Sequence, residues 1–112
     1  LDLSRSTGEA GADGRSHLEV ARESALLAAS AMAAGGDRCA IDGFCSDGRG
    51  EVRWFRFKRA DAPLDEGALA RLAGARPHLS TRMGAAIRHA TARLARERAR
   101  TRLLLLVTDG EP

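Results

Sequence analysis

The apolar residues of this chain fall into two rhythms, and their alternation predicts its elements. Leu18, Ala21, Ala25, Ala28 and Met32 recur at three- and four-residue spacing, which makes one stripe of a helix running to about residue 34. Ser16-His17-Leu18-Glu19 fits a capping box at its start, and Gly35-Gly36 stops it. Residues 38–45 then read as a strand. The turn cluster Ser46-Asp47-Gly48-Arg49-Gly50 separates it from residues 52–58, where Val52, Trp54, Phe55 and Phe57 favour a second strand. A polar linker with Pro63 leads to a short helix over 65–73, and residues 74–80 form a loop. Ser80 or Thr81 opens a third helix, whose Met83, Ala86, Ile87, Ala90 and Leu94 share one face while Arg88 and Arg96 lie nearly opposite. A very apolar strand over 102–108 follows.

Strands alternating with amphipathic helices predict an α/β fold built on a parallel sheet, and the apolar run at 103–107 suits a strand covered on both faces. Leu1 reads as the last residue of a strand, so the expectation is a partial domain over 1–112 that lacks most of its first strand and its C-terminal part. A chain of 112 residues, 44% hydrophobic, supports one core. Its formal charge is +3, and Lys58 is the sole lysine, an arginine bias that genome composition alone can produce. No stretch approaches the roughly 20 apolar residues of a membrane span, and no signal-like start is present, which points to the cytoplasm. Cys39 and Cys45, placed in one strand, would stand about 20 Å apart, beyond the roughly 7 Å reach of a disulfide.

The candidate chemistry sits at the two ends. In Asp2-x-Ser4-x-Ser6, oxygen side chains at alternate positions of an extended turn can converge, one carboxylate with two hydroxyls. Asp109 adds a carboxylate at the end of the apolar strand, and Thr81 stands in a loop before a helix. Right-handed crossovers would gather these loops on the carboxyl side of a parallel sheet, and such oxygens suit a hard cation like Mg²⁺. Plainer roles exist for each: Ser80 and Thr81 as helix caps, Asp109-Gly110 as a turn, Ser4 and Ser6 as solvated loop residues. His17, His78 and His89 have no ligand spacing and are assigned no role.

Other chemistries find less support. The chain has no Gly-x-x-x-x-Gly-Lys-Ser/Thr loop, so ATP hydrolysis belongs to a partner, and no Gly-x-Ser-x-Gly or evident general base for a metal-assisted hydrolase. Arg93, Arg96, Arg98, Arg100 and Arg102 read as a solvated helix end, with docking to an acidic surface as the alternative. The aromatics Phe44, Trp54, Phe55 and Phe57 lie in predicted strands without a nucleic-acid-binding motif, so no nucleic-acid partner is expected.

Asp2-x-Ser4-x-Ser6 with Thr81 and Asp109 resembles the metal-ion-dependent adhesion site of von Willebrand factor A domains. Gly43-Phe44-Cys45-Ser46-Asp47-Gly48-Arg49, then Ser80 to Ala90 and the stretch from Leu103 to Pro112, resemble more narrowly the NorD/CbbO group. The resemblance implies a mostly parallel, Rossmann-like sheet flanked by helices and truncated at both ends. It implies Mg²⁺ or another divalent cation held by Ser4, Ser6 and Thr81, with Asp2 and Asp109 bound directly or through water, and one position open to an acidic residue of a target protein. It further implies a non-catalytic adaptor acting with a MoxR-type AAA+ ATPase, the target being Rubisco for CbbO-like proteins or nitric oxide reductase for NorD-like ones. Residues 43–49 and Glu51-Val52-Arg53-Trp54 stand closer to CbbO than to NorD.

Overall fold

The structure, a computed structural model, describes residues 1–12, 14–46, 52–77 and 83–108. Its longest element is the helix α1 (His17–Ala34), which begins and ends where local chemistry directs. The Ser16 hydroxyl accepts from the Glu19 amide at 3.1 Å, satisfying a donor that the first helical turn leaves open. At the other end, the Gly35 and Gly36 amides bond back to Ala31 and Ala33, and Gly36 has φ +79°, a conformation that glycine adopts without steric cost. Leu18, Ala21 and Ala29 are buried, so the helix lies on the core through its predicted stripe, rotated slightly toward Ala29 in its second half.

Two strands follow, β1 (Ile41–Ser46) and β2 (Val52–Lys58), paired antiparallel with Asp42 opposite Arg56 and Phe44 opposite Trp54. Arg56 grips Asp42 with a two-pronged contact, Nε at 2.8 Å and Nη2 at 3.1 Å, on a half-buried face where solvent screens the pair incompletely. Gly43 in β1 is closely surrounded. A β-carbon there would stand 2.6 Å from Leu3 Cδ1 and 2.8 Å from Phe57 Cε2, so the absent side chain is what lets both buried residues close over β1.

The helix α2 (Glu66–Ala73) is capped by Asp65, whose Oδ1 accepts from the Ala68 amide at 2.9 Å. Arg71 Nε reaches the Phe57 carbonyl at 2.8 Å and so ties α2 to β2, while Arg22 Nη1 donates to the Ala73 and Ala75 carbonyls from α1. The helix α3 (Met83–Leu94) buries Ala86 and leaves Ile87 39% exposed. Residues 78–82, and with them the predicted cap at Ser80 or Thr81, lie outside the described residues. His89 is exposed, and its ring lies 4.4 Å from that of Trp54, which in turn stacks on Phe44 at 6.3 Å.

Three expectations are corrected. The mostly parallel, Rossmann-like sheet does not form among the described residues: the sheet has two strands, and they run antiparallel. Residues 47–51 alone join β1 to β2, whereas a parallel pair needs a crossover of about a dozen residues or more. Second, residues 102–108 form no strand. Leu103, Leu104 and Leu105 are 70%, 41% and 56% exposed, and the strand propensity of this run lacks a partner ladder among the described residues.

Third, the strand read over 38–45 starts only at Ile41, so Cys39 precedes it while Cys45 is inside it. Neither cysteine forms a disulfide among the described residues. Burial pushes the Cys39 thiol up, with Lys58 opposing, which makes it a poor nucleophile. Lys58 itself is 5% exposed and donates its ammonium to the Cys39 carbonyl and, at 3.1 Å, to that of Arg59. Among the described residues no helix is long and apolar enough to cross a membrane.

Two glycine substitutions have opposite expected signs. Gly43→Ala overpacks β1 against Leu3 and Phe57 and lowers stability by about 1–3 kcal/mol. Gly84→Ala, on the exposed first turn of α3, removes backbone freedom from the unfolded chain and raises stability by up to about 1 kcal/mol. Urea unfolding midpoints of the two variants and the parent protein check both at once.

Candidate functional site

Residues 1–3 run beside β1, and this placement builds the site. The Leu3 amide donates to the Phe44 carbonyl at 2.8 Å and the Phe44 amide to the Leu1 carbonyl at 2.9 Å, with Asp2 bridged to Phe44 in parallel. On its other side, the Asp2 amide donates to the Val107 carbonyl at 2.9 Å. Asp2 thus sits between β1 and the 102–108 segment, and it is fully buried at 0% exposure.

The buried carboxylate is held by donors from both ends of the chain. Oδ1 accepts from the Ser4 amide at 2.9 Å, a turn in which an aspartate side chain stands in for a backbone carbonyl. Oδ2 accepts from the Thr108 hydroxyl at 2.8 Å. Ser4 is also buried, and its hydroxyl lies 3.2 Å from that of the half-buried Ser6. Asp2, Ser4 and Ser6 therefore come together as predicted, though by a different geometry. An extended turn with alternating side chains persists only to Ser4, because Arg5–Gly8 winds into a short 3₁₀ helix that brings Ser6 back toward Ser4. Thr7 fastens this coil: its hydroxyl donates to the Ser4 carbonyl at 2.6 Å and its amide to the same oxygen at 3.1 Å.

Thr81 and Asp109, the remaining predicted ligands, lie outside the described residues. Two residues that sequence reasoning passed over, Thr7 and Thr108, join the site instead. Thr7 follows Ser6 in a run of short hydroxyl side chains that favours local side-chain-to-backbone bonds, a signal available beforehand. Thr108 gave none, since its partner is 106 positions away.

The donor set is chemically narrow. Among the described residues no three His, Cys, Asp or Glu side chains gather, so what those residues offer an ion here is one carboxylate and hydroxyl oxygens. Such oxygens suit a hard cation and disfavour zinc or copper. The Asp2 carboxylate is oriented by the hydrogen bonds it accepts from Ser4 and Thr108. The 3.2 Å between the Ser4 and Ser6 hydroxyls is close to the roughly 3 Å that separates neighbouring oxygens around an octahedral Mg²⁺. The residues present fit that ion. Beside the site, an opening of about 420 Å³ between α1 and residues 107–108 is lined by His17, Val20, Ser24 and Thr108, so the buried carboxylate lies one hydrogen bond from a solvent-reaching cleft.

Comparison with known proteins gives a consistent answer. Protein NorD of Brucella abortus is 46% identical over 112 residues, which is 100% of this chain and 18% of that protein. Protein NorD of Stutzerimonas stutzeri is 40% identical over 111 residues, 99% of this chain and again 18% of that protein. An uncharacterized protein of Pseudomonas aeruginosa matches at 40% over 111 residues. No family model and no solved structure matches the chain. The chain spans about 18% of the length of the curated relatives it matches, and over its whole length it is homologous to a segment of NorD proteins.

Proposed function

We propose that this chain is the metal-binding segment of a NorD-like adaptor that supports the maturation of nitric oxide reductase. The observation that carries the reading is the end-to-end 46% identity to a segment of protein NorD, in a chain whose first residues fold around one buried carboxylate. The resemblance to CbbO in residues 43–49 yields to that identity, and the Rubisco reading becomes the second one.

In this proposal Asp2, Ser4 and Ser6 hold Mg²⁺, with Thr81 and Asp109 as further ligands. The bound ion would supply an electrophilic position for a carboxylate oxygen of a target protein. The chain's own part is to position donors. Ser4 fixes the Asp2 carboxylate through its amide, Thr108 fixes the other oxygen, and Thr7 holds the coil that presents Ser6. Burial of Asp2 keeps water from competing for its oxygens. ATP hydrolysis belongs to a MoxR-type AAA+ partner on this reading, and the segment itself is an adaptor.

Asp2→Asn separates the metal role from the structural one, because an amide oxygen can still accept from Ser4 and the Thr108 hydroxyl can turn to accept from the new amide. In the full-length protein, Mg²⁺ titrated calorimetrically gives a binding isotherm that Asp2→Asn abolishes, while the unfolding free energy in EDTA stays within about 1 kcal/mol of the parent. An undiminished isotherm in the variant contradicts the assignment.

The cellular role has its own readout. In a denitrifying strain deprived of the full-length protein, nitric oxide accumulates. The parent gene restores its reduction, and the Asp2→Asn gene does not. Reactivation of inhibited Rubisco by the protein and its ATPase, with nitric oxide reduction unaffected by the deletion, would transfer the function to the Rubisco reading.

A further inference from the structure

The two oxygens of the Asp2 carboxylate are engaged from opposite ends of the chain. Oδ1 accepts from the Ser4 amide at 2.9 Å, and Oδ2 from the Thr108 hydroxyl, 106 positions away, at 2.8 Å. The main chain of the same residue is fixed as well. Its amide donates to the Val107 carbonyl at 2.9 Å, and its neighbours bracket Phe44, Leu3 donating to the Phe44 carbonyl and Leu1 accepting from the Phe44 amide. Val107 and Thr108 therefore hold Asp2 by main chain and side chain at once. At 0% exposure, the carboxylate turns only by giving up one of these bonds inside the fold, where a lost hydrogen bond is not replaced by bulk water.

The hydroxyls beside it are held less tightly. Ser4 and Ser6 face each other across 3.2 Å, and Ser6 is half-buried and carried on the short coil Arg5–Gly8. A hydroxyl hydrogen rotates to suit its partner, so the geometric demand of this donor set falls on the carboxylate. Hard cations differ in what they ask of it. Mg²⁺ takes about six oxygens at about 2.0–2.1 Å in a near-ideal octahedron, whereas Ca²⁺ takes about six to eight at about 2.3–2.6 Å and accepts a carboxylate through one oxygen or both. A carboxylate pinned at both oxygens suits the first ion, and one free to swing into a two-oxygen grip favours the second.

We infer that Thr108 is a specificity-determining residue of the cation site: on the reading that Asp2 binds a divalent cation, on which this role rests, the Thr108 hydroxyl holds the carboxylate to a one-oxygen contact and so selects Mg²⁺ over Ca²⁺. Thr108 acts through Asp2, as a positioning residue. The Ser4 half of the clamp is a main-chain amide that no side-chain change removes, which leaves Thr108 as the half that substitution can open.

The test titrates Mg²⁺ and Ca²⁺ calorimetrically into the full-length protein and its Asp2→Asn, Thr108→Val and Thr108→Ser variants, with urea unfolding in EDTA confirming that each variant folds cooperatively. The parent binds Mg²⁺ more tightly than Ca²⁺. Thr108→Val, which exchanges the hydroxyl for a methyl of similar size, weakens Mg²⁺ about tenfold or more, the loss typical of groups that orient a metal ligand, while Ca²⁺ affinity changes by less than about threefold. Thr108→Ser keeps the donor and returns Mg²⁺ affinity to within about threefold of the parent. A residue that only supports the fold would weaken both ions together. A parent preference for Ca²⁺, equal losses for the two ions, or a serine variant that behaves like the valine one overturns the role of Thr108, and the cation reading survives as long as Asp2→Asn abolishes binding. A parent protein that binds neither ion, or an Asp2→Asn variant that binds as the parent does, removes the cation reading and the role of Thr108 with it.

Discussion

One buried carboxylate joins the two ends of this chain. Asp2 is fully buried, and its side chain accepts from Ser4 on one oxygen and Thr108 on the other, while its amide donates to Val107. An aspartate without solvent is tolerable only when its oxygens are satisfied, since each unmet charge-assisted bond costs about 1–3 kcal/mol or more. The position of residues 1–3 beside β1, the coil at Arg5–Gly8 and the end of the leucine-rich segment are all set by that requirement.

Packing around β1 extends the same constraint. Residues 1–3 can lie against β1 only because Gly43 has no side chain where Leu3 and Phe57 close over it. Beneath them, α1 presents Leu18, Ala21 and Ala29, small and apolar enough for a close approach, and the arginine contacts from Arg22 and Arg71 attach α2 through carbonyl oxygens instead of ion pairs. Stability and site geometry are therefore coupled: a change in the core under β1 also shifts the frame that holds Asp2.

Elements with local causes were legible in the sequence. Ser16, Gly35 and Asp65 act within a few residues, so α1 and α2 appear where their caps and stripes place them, and β2 follows from its β-branched and aromatic residues. The parallel sheet was misread because alternation of strands and helices was weighed above the short 47–51 connection, which permits an antiparallel return. The run at 102–108 was misread because propensity describes a residue's preference and says nothing of whether a hydrogen-bonded partner lies alongside. Within the site, the convergence of Asp2, Ser4 and Ser6 was legible, but its cause was a turn and a 3₁₀ coil; Thr108 was not, because its role depends on a contact across nearly the whole chain.

On the proposed reading, this buried carboxylate and its hydroxyl neighbours hold a hard divalent cation. Anomalous diffraction from crystals of the full-length protein grown with Mn²⁺ addresses it directly. The expected result is a peak within coordination distance of the oxygens of Asp2, Ser4 and Ser6. A well-ordered site with no anomalous density at those oxygens, at a Mn²⁺ concentration that stabilises the protein in solution, would contradict it.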